Sequence, residues 1–510
     1  MTAVWDGRSD TVYFLSRARG AVVSEGDIRE TGPSRRLADE RPANKGLVDM
    51  QSERARPDFT PRSLDYVEFL TWVTSRITLG GGAFTFVSVF DGPLDEATVL
   101  LAWGKLCRRH PMLGATVEEP SVRPRFVPLA EFPLPEVRTT SSRSVVEELL
   151  ASIGEVEFPP GAPLYRPFAL LNPKIGRHAF VTVINHAAGD GDACLKLHKE
   201  FTEALAVIQA GRHDEPTINR ILPSSWCETL APNQGPWRFL RSGAVQLSRN
   251  LYCDLVPFES RAPFSQRRTH HLIAIADVAS SETVIRRASE HHGVAAFLSA
   301  CLLQTQFAHM SERGLVGNRA RLVLTLPTNL RRFAPATSAI SMGTFPNFAS
   351  VSMEKNLSSI QASARVRQAI DRFARSDARE NTVSWFNPRL ARGGIQRLAT
   401  SNMHFGPYTT HLGRLDLRTA GPLRRVSSFG YLQMRHCFSS VQASTRLIED
   451  RLVVSLNYCE PIVSRRTAKA LFVEFLNRIG LTNYALTDDY DDYVEHIDGA
   501  KGGRESWQLK

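Results

Sequence analysis

The sequence predicts an α+β protein built of two lobes, on three observations. At 510 residues the chain exceeds what one ordinary core organises, so two domains are expected. Its 43% apolar and 22% charged residues are those of a soluble globular protein. Strand and helix patterns recur in both halves without strict β-α-β alternation, which favours α+β packing over a doubly wound sheet.

The elements follow in chain order. From Ser24 to Pro57, 14 of 34 residues are charged, seven of each sign, and aromatics are absent. Such a segment buries too little apolar surface to order itself and reads as a flexible extension. Periodic structure begins near Phe59. Leu94 to Arg109 reads as a helix with Asp91 or Asp95 near its start, Pro111 breaks it, and a strand follows around Ala115 to Val117. "HAFVTVI", His178 to Ile184, reads as a buried strand. Beyond it Cys194, Leu197, Phe201, Leu205 and Ile208 recur every three or four residues, the stripe of a core-facing helix, with Asp190 and Asp192 both able to cap it.

Pro216 to Ser265, rich in proline and tryptophan, reads as a bridge between halves. A strand "THHLIAIA" opens the second half, with a helix from Ser281 to Met310 and a strand "ARLVLTLPTNLRRF" after it. A helix near Leu357 to Arg375, strands near Cys437 to Ser444 and Leu452 to Tyr458, and a helix from Ser464 to Ile479 complete it. The acidic tail from Asp488 reads as loose. The expected divisions are an extension over 1–57, an N-terminal lobe over 58–221, an inter-lobe segment over 222–268, a C-terminal lobe over 269–482 and an acidic tail over 483–510.

Several function classes recede at this level. No run of 18 apolar residues exists to span a membrane, and the N-terminus lacks the charged start and apolar stretch of an export signal. Seven cysteines without a C-x-x-C pair read as reduced thiols of a cytoplasmic protein rather than a zinc site. The net charge of +10 is scattered rather than striped, so nucleic acid is not the expected partner. "LGGG", Leu79 to Gly82, lacks the Lys-Ser/Thr continuation of a phosphate loop.

The chemistry concentrates at "VINHAAGDGDACLKLHKEF", Val183 to Phe201. His186 stands where a strand ends and a loop begins, a common place for residues that meet substrate. His186, Asp190 and Gly191 match the H-x-x-x-D-G signature, and the chain resembles the chloramphenicol-acetyltransferase-like acyltransferases. That superfamily includes alcohol acyltransferases, polyketide-associated acyltransferases and condensation domains. Four further stretches fall in the matching order: "PLDEATVLLAWGKLCRRHPMLGATV" from Pro93, "FPPGAPLYRPFALL" from Phe158, "NLRRF" from Asn329 with "GTFPNF" from Gly343, and "SNMHFGP" from Ser401. Together they cover roughly Phe59 to Ile479. Asn185 stands where condensation domains usually repeat the histidine, and Pro346 replaces a glycine of the plant-like branch.

The resemblance implies two lobes with mixed sheets and a tunnel between them. It implies His186 as general base, Asp190 paired with Arg331 to shape the loop, and a small Gly191 beside the tunnel. Ser401 and Asn402 are the implied oxyanion donors; a turn of small polar residues is the alternative reading of that pair. No metal or cofactor is expected. The expected donor is an acyl-CoA or a phosphopantetheinyl acyl carrier protein, the expected acceptor a hydroxyl-bearing small molecule, and the expected state a monomer. A histidine near its ordinary pKa of ~6.5 suits such proton transfer at neutral pH. Two other readings stay open: an amide-forming, free-standing condensation enzyme, and a non-catalytic scaffold of the same fold. His404 and the His270-His271 doublet read as structural, and Cys194 as core. The seven arginines from Arg220 to Arg268 are candidates for a phosphorylated donor handle.

Overall fold

The computed structural model describes residues 57–119, 124–212, 220–223, 253–317, 320–329, 346–375, 388–401, 403–415, 419–420, 422–436 and 438–499, with two short strands further upstream. Those strands, Ala3–Trp5 and Val12–Phe14, pair antiparallel within a first unit, Met1–Ser52. The second unit runs from Glu53 to Lys510. The expected flexible extension lies outside the described residues up to residue 56.

Two sheets organise the second unit. The first comprises β1 (Phe84–Asp91), β2 (Glu136–Thr139), β3 (Tyr165–Asn172), β4 (Arg177–Ile184), β9 (Thr419–Ala420) and β10 (Leu423–Leu432), ordered β9-β10-β1-β4-β3-β2. The second comprises β5 (Arg268–Ala276), β6 (Arg321–Asn329), β7 (Pro346–Glu354), β8 (Tyr408–Leu415), β11 (Gln442–Ile448), β12 (Arg451–Glu460) and β13 (Tyr484–Thr487), ordered β7-β6-β8-β11-β12-β5-β13. The pairs β2–β3, β6–β8 and β8–β11 are parallel and the rest antiparallel. The fold is α+β with mixed sheets, as the sequence predicts.

Strand β10 departs from a division of the chain into two sequential halves. It follows β8 in sequence yet leaves the second sheet and pairs with β1 of the first. An ion-pair cluster pins it there. Asp91 at the end of β1 accepts from Arg177 of β4 at 2.9 Å and from Arg424 of β10 at 3.2 Å. Half-buried charges gain more from each other than exposed ones do, because water screens them less.

The helices that matter to the site are α1 (Tyr66–Ile77), α2 (Glu96–Arg109), α3 (Val145–Ile153), α4 (Gly191–Gln209), α5 (Val294–Glu312), α6 (Arg465–Ile479) and α7 (Tyr490–Gly499). Their starts obey capping chemistry: the Asp95 carboxylate accepts from Thr98 N at 2.7 Å, and the Ser464 hydroxyl accepts from Thr467 N at 3.3 Å. The single helix expected from Ser281 to Met310 is two, Val278–Glu290 and α5. They are broken where His292 and Gly293 take φ of 67° and 100°, a conformation that glycine adopts without strain. A helix over Pro388–Thr400 carries Gly393 and Gly394, which hide it from propensity reasoning.

Within the acidic tail, residues 490–499 are not loose but form α7, which contacts both sheets. Tyr490, Tyr493, Val494 and Ile497 are buried in the main core. Tyr490 stacks on Phe429 of β10 with ring centroids 3.9 Å apart and lies tilted against His271 of β5 at 3.8 Å. Asp491 serves as a cap rather than as solvated charge. Asp491 accepts from Val146 N and Glu147 N at the start of α3, and Glu147 returns the bond to Tyr490 N at 2.7 Å. Carboxylates at helix N-termini satisfy otherwise unpaired N–H groups and complement the helix dipole.

Helix α4 lies against the first sheet, keyed by one polar side chain in an apolar surface. His198 meets the Ser88 hydroxyl of β1 at 2.9 Å and the Thr182 hydroxyl of β4 at 2.8 Å, with its ring edge on Phe86. Both ring nitrogens are thus satisfied, and burial, with Arg425 adding to it, holds the His198 pKa well below 6.5. Cys194, on the same helix, is fully buried in the core.

Candidate active site

His186 sits just past one end of the first sheet. Leu432, Phe84, Ile184 and Tyr165 pair in one row across β10, β1, β4 and β3. The loop from Asn185 to Asp190 leaves the sheet beside that row. Asn185 builds the turn: its side-chain oxygen accepts from Ala187 N at 3.0 Å and its carbonyl from Ala188 N at 2.9 Å, while its own N–H donates to Leu164 O. This is an Asx turn, and a histidine at 185 has no side-chain oxygen to make it. Tyr165 ties down the far side by donating to Ala188 O at 2.9 Å.

The loop's steric demand falls on Gly189. A Cβ there would stand 2.5 Å from the Tyr165 hydroxyl, whereas one on Gly191 would meet Leu412 of β8 at 3.4 Å and Phe84 at 3.6 Å, ordinary contact distances. Asp190 caps α4, accepting from Ala193 N at 2.9 Å, so of the two candidate caps it is Asp190 that holds the position. Its charge also acts on His186 and on Tyr408 of β8. His186 is half-buried; burial lowers its pKa from 6.5, and Asp190 only partly offsets this. At neutral pH its imidazole is therefore neutral and able to accept a proton.

Two groups that sequence reading missed join this place. Tyr408 and Leu412 bring β8 of the second sheet over the start of α4. His436 ends a short 3₁₀ turn, Met434–His436, that follows β10 at the same end of the sheet as His186. Burial lowers the His436 pKa to about 4; His186 and Arg267 add to this, against an opposing hydrogen bond to the Met434 backbone. The loop Leu79 to Gly82 shows how the turn fits: a Cβ on Gly81 would stand 2.6 Å from His436 N, and Gly82 N donates to Gln433 O.

Other sequence candidates separate. Ser401 follows the helix Pro388–Thr400 and donates its hydroxyl to Met403 O at 3.2 Å. Asn402 and Arg331 lie outside the described residues. His404 is buried against Phe258, with ring centroids 4.3 Å apart. His270 lies 3.4 Å from Glu460 at the surface. Among the seven arginines, Arg238, Arg241 and Arg249 lie outside the described residues. Arg267 is no donor-binding group: it is buried, donates to Ala262 O and Arg435 O, and packs over Phe264. Arg268 donates to Ser265 O and Arg267 O, and Arg220 pairs with Asp58.

No protein-family model and no curated protein sequence matches the chain. Solved structures do. Trichothecene 15-O-acetyltransferase TRI3 from Fusarium sporotrichioides superposes with a TM-score of 0.67 at 10% identity, over 82% of this chain and 94% of that one. The first condensation domain of the calcium-dependent antibiotic synthetase gives 0.62 at 14%, over 84% and 99%. Polyketide synthase associated protein 5 from Mycobacterium tuberculosis gives 0.60 at 14%, over 82% and 98%. The fold is chloramphenicol-acetyltransferase-like. In this chloramphenicol-acetyltransferase-like fold, β10 is the crossover that carries C-terminal residues into the first sheet, and His436 reaches His186 by that route. Among the described residues no helix is long and apolar enough to cross a membrane, and no group of three or more His, Cys, Asp or Glu is placed to hold a metal ion.

Proposed function

We propose that this protein is an acyltransferase that moves an acyl group from a thioester to a hydroxyl, forming an ester, with His186 as general base. The observation that carries the reading is the placement of His186: a half-buried imidazole on an anchored loop at the end of the first sheet, with burial lowering its pKa so that it is neutral at pH 7. In the proposed step the imidazole takes the acceptor's proton as its oxygen attacks the thioester carbonyl. The tetrahedral intermediate then collapses, the carbon–sulfur bond breaks, and the imidazolium returns the proton to the departing thiolate. General-base assistance of this kind contributes ~10²–10⁴ in rate. No protein nucleophile is needed.

Ser401 and Asn402 remain the proposed oxyanion donors. Ser401 must turn its hydroxyl from Met403 O to serve. Asp190 with Arg331 remains the proposed charge pair beside the base. The donor in this reading is an acyl-CoA or a carrier-borne acyl group, entering a tunnel between the lobes. A cytoplasmic setting suits the free cysteines, of which Cys107, Cys194, Cys301 and Cys459 are buried. Incubating the purified chain with a panel of acyl-CoAs and acyl carrier proteins, and reading thiol release with alcohol and amine acceptors in parallel, tests the activity and separates ester from amide formation. Absence of acceptor-dependent thiol release across the panel contradicts it.

A further inference from the structure

The second sheet presents a polar row to the first. Tyr408, Gln442, Asn457 and His271 stand in register on the neighbouring strands β8, β11, β12 and β5. Side chains of directly paired residues share a face. That face is the one turned to the first sheet, because Ile448, Val453 and Ile275 on it belong to the core shared with β1 and β4, whereas Ala443, Val454 and Leu456 pack with α5 and α6. At a strand spacing of ~4.8 Å the row runs roughly 14 Å. It begins at Tyr408, within reach of the Asp190 charge, and ends at His271 against Tyr431 and Tyr490. Gln433 and His436, in the chain beyond β10, bring further polar groups to the same seam. Met434, between them, donates to Thr269, two residues before His271 on β5.

These side chains are buried yet under-used. Asn457 is 1% exposed, Gln433 2% and His436 9%. The Asn457 side-chain oxygen, both ring nitrogens of His271 and the Gln433 side-chain oxygen have no hydrogen-bond partner among the described residues. Buried polar atoms are nearly always paired, so a run of unpaired ones beside a reacting group points to a ligand. Amide and imidazole ends mix donors and acceptors, and a hydroxyl does both. Within the row Asn457 Nδ2 donates to Gln442 Oε1 at 3.3 Å, and an aliphatic chain laid along it would leave the Asn457 oxygen and the His271 ring nitrogens dry.

We infer that the row Tyr408–Gln442–Asn457–His271, with Gln433 and His436 beside it, is the acceptor-binding surface, and that the acceptor is a molecule carrying several hydroxyl groups rather than a simple long-chain alcohol. The inference deepens the acyltransferase reading and rests on it for the word acceptor. The reacting hydroxyl lies at the His186 end while the others pair along the row. Sites built to hydrogen-bond a hydroxyl reject analogues lacking it by large factors.

The test compares sorbitol with hexan-1-ol, equal in carbon number, as acceptors for one acyl thioester, and measures sorbitol binding to the folded full chain by calorimetry. The expected result is at least a ~10-fold higher kcat/KM for sorbitol, reduced at least ~10-fold by both Gln433→Met and Asn457→Leu, with thermal melts confirming folded variants. Hexan-1-ol equal or superior to sorbitol overturns the inference and leaves acyl transfer standing. Saturable sorbitol binding weakened by either variant, without thiol release for any acceptor, sustains the polar surface and overturns acyl transfer. Neither binding nor turnover overturns both.

Discussion

His110 Nε2 lies 2.6 Å from Glu200 Oε2 across the interface of α2 and α4, and both side chains are buried. The pair joins the end of the helix before Pro111 to the helix that starts at Asp190, so it fixes how α4 presents the His186 loop. Burial alone would raise the Glu200 pKa; the His110 hydrogen bond and the His110, Arg109 and Lys196 charges outweigh it and lower it. His110→Ala strands that carboxylate, with Arg109 3.6 Å away as partial compensation. The expected loss is ~3 kcal/mol, the lower end for a broken buried pair, read by urea unfolding. A variant as stable as wild type would show the contact carries no weight.

Asp190 has two assignable duties, and substitutions separate them. Asparagine caps a helix as well as aspartate does, so Asp190→Asn keeps the cap on Ala193 and removes the charge. If the charge is paired with Arg331, Asp190→Asn destabilises by ~3 kcal/mol and Asp190→Ala by ~1 kcal/mol more. A double-mutant cycle with Arg331→Met then returns a coupling energy of that size. Wild-type stability in Asp190→Asn would leave Arg331 without this role.

Acid should destabilise the protein early. Burial lowers the pKa of His436 and His411 to about 4, of His271 to about 3, and of His198 well below 6.5. The unfolded chain binds protons at these positions below ~6.5 while the folded chain refuses them, so stability is full above that pH. It is lost progressively as pH falls from 6.5 toward 4. Glu147 and Asp491, raised by burial, act in the opposite direction just above 4.5 and 3.8, because there the folded chain holds their protons more tightly. Urea midpoints measured between pH 7.5 and 5.5 should therefore fall with falling pH. Flat midpoints would mean these rings are solvated.

Deleting residues 488–510 removes α7 and uncovers Phe429 and His271, while leaving the N-terminus of α3 without the Asp491 carboxylate. The truncated chain is expected to melt at lower temperature than the full chain or to aggregate on expression. A truncation that melts like the intact protein would return the tail to the loose state its composition suggests.

How much of this was legible in the sequence depends on range. The strand before His186, the α4 stripe and the helix after Ser464 follow from periodicity and capping, which are local; the choice between Asp190 and Asp192 as the α4 cap does not. Helix α7 is hidden for the opposite reason: Asp491 looks solvated until the distant N-terminus of α3 supplies its partners. The same holds at the site. His436 lies 250 positions from His186, and only the crossover of β10 brings it near, so no spacing rule could find it. The row from Tyr408 to His271 is a property of strand register across four strands. Asn185 and Gly189 were within reach, since Asx turns and tight glycines have local signatures.

The most direct measurement is thiol release by His186→Ala beside wild type, with the same acyl thioester and acceptor and a thermal melt of each. The account predicts an unchanged melt and turnover at least ~10²-fold lower, with the wild-type kcat/KM falling on an acid limb centred below 6.5 as the base protonates. A folded His186→Ala variant that turns over at near wild-type rate would contradict the assignment of His186 as the base.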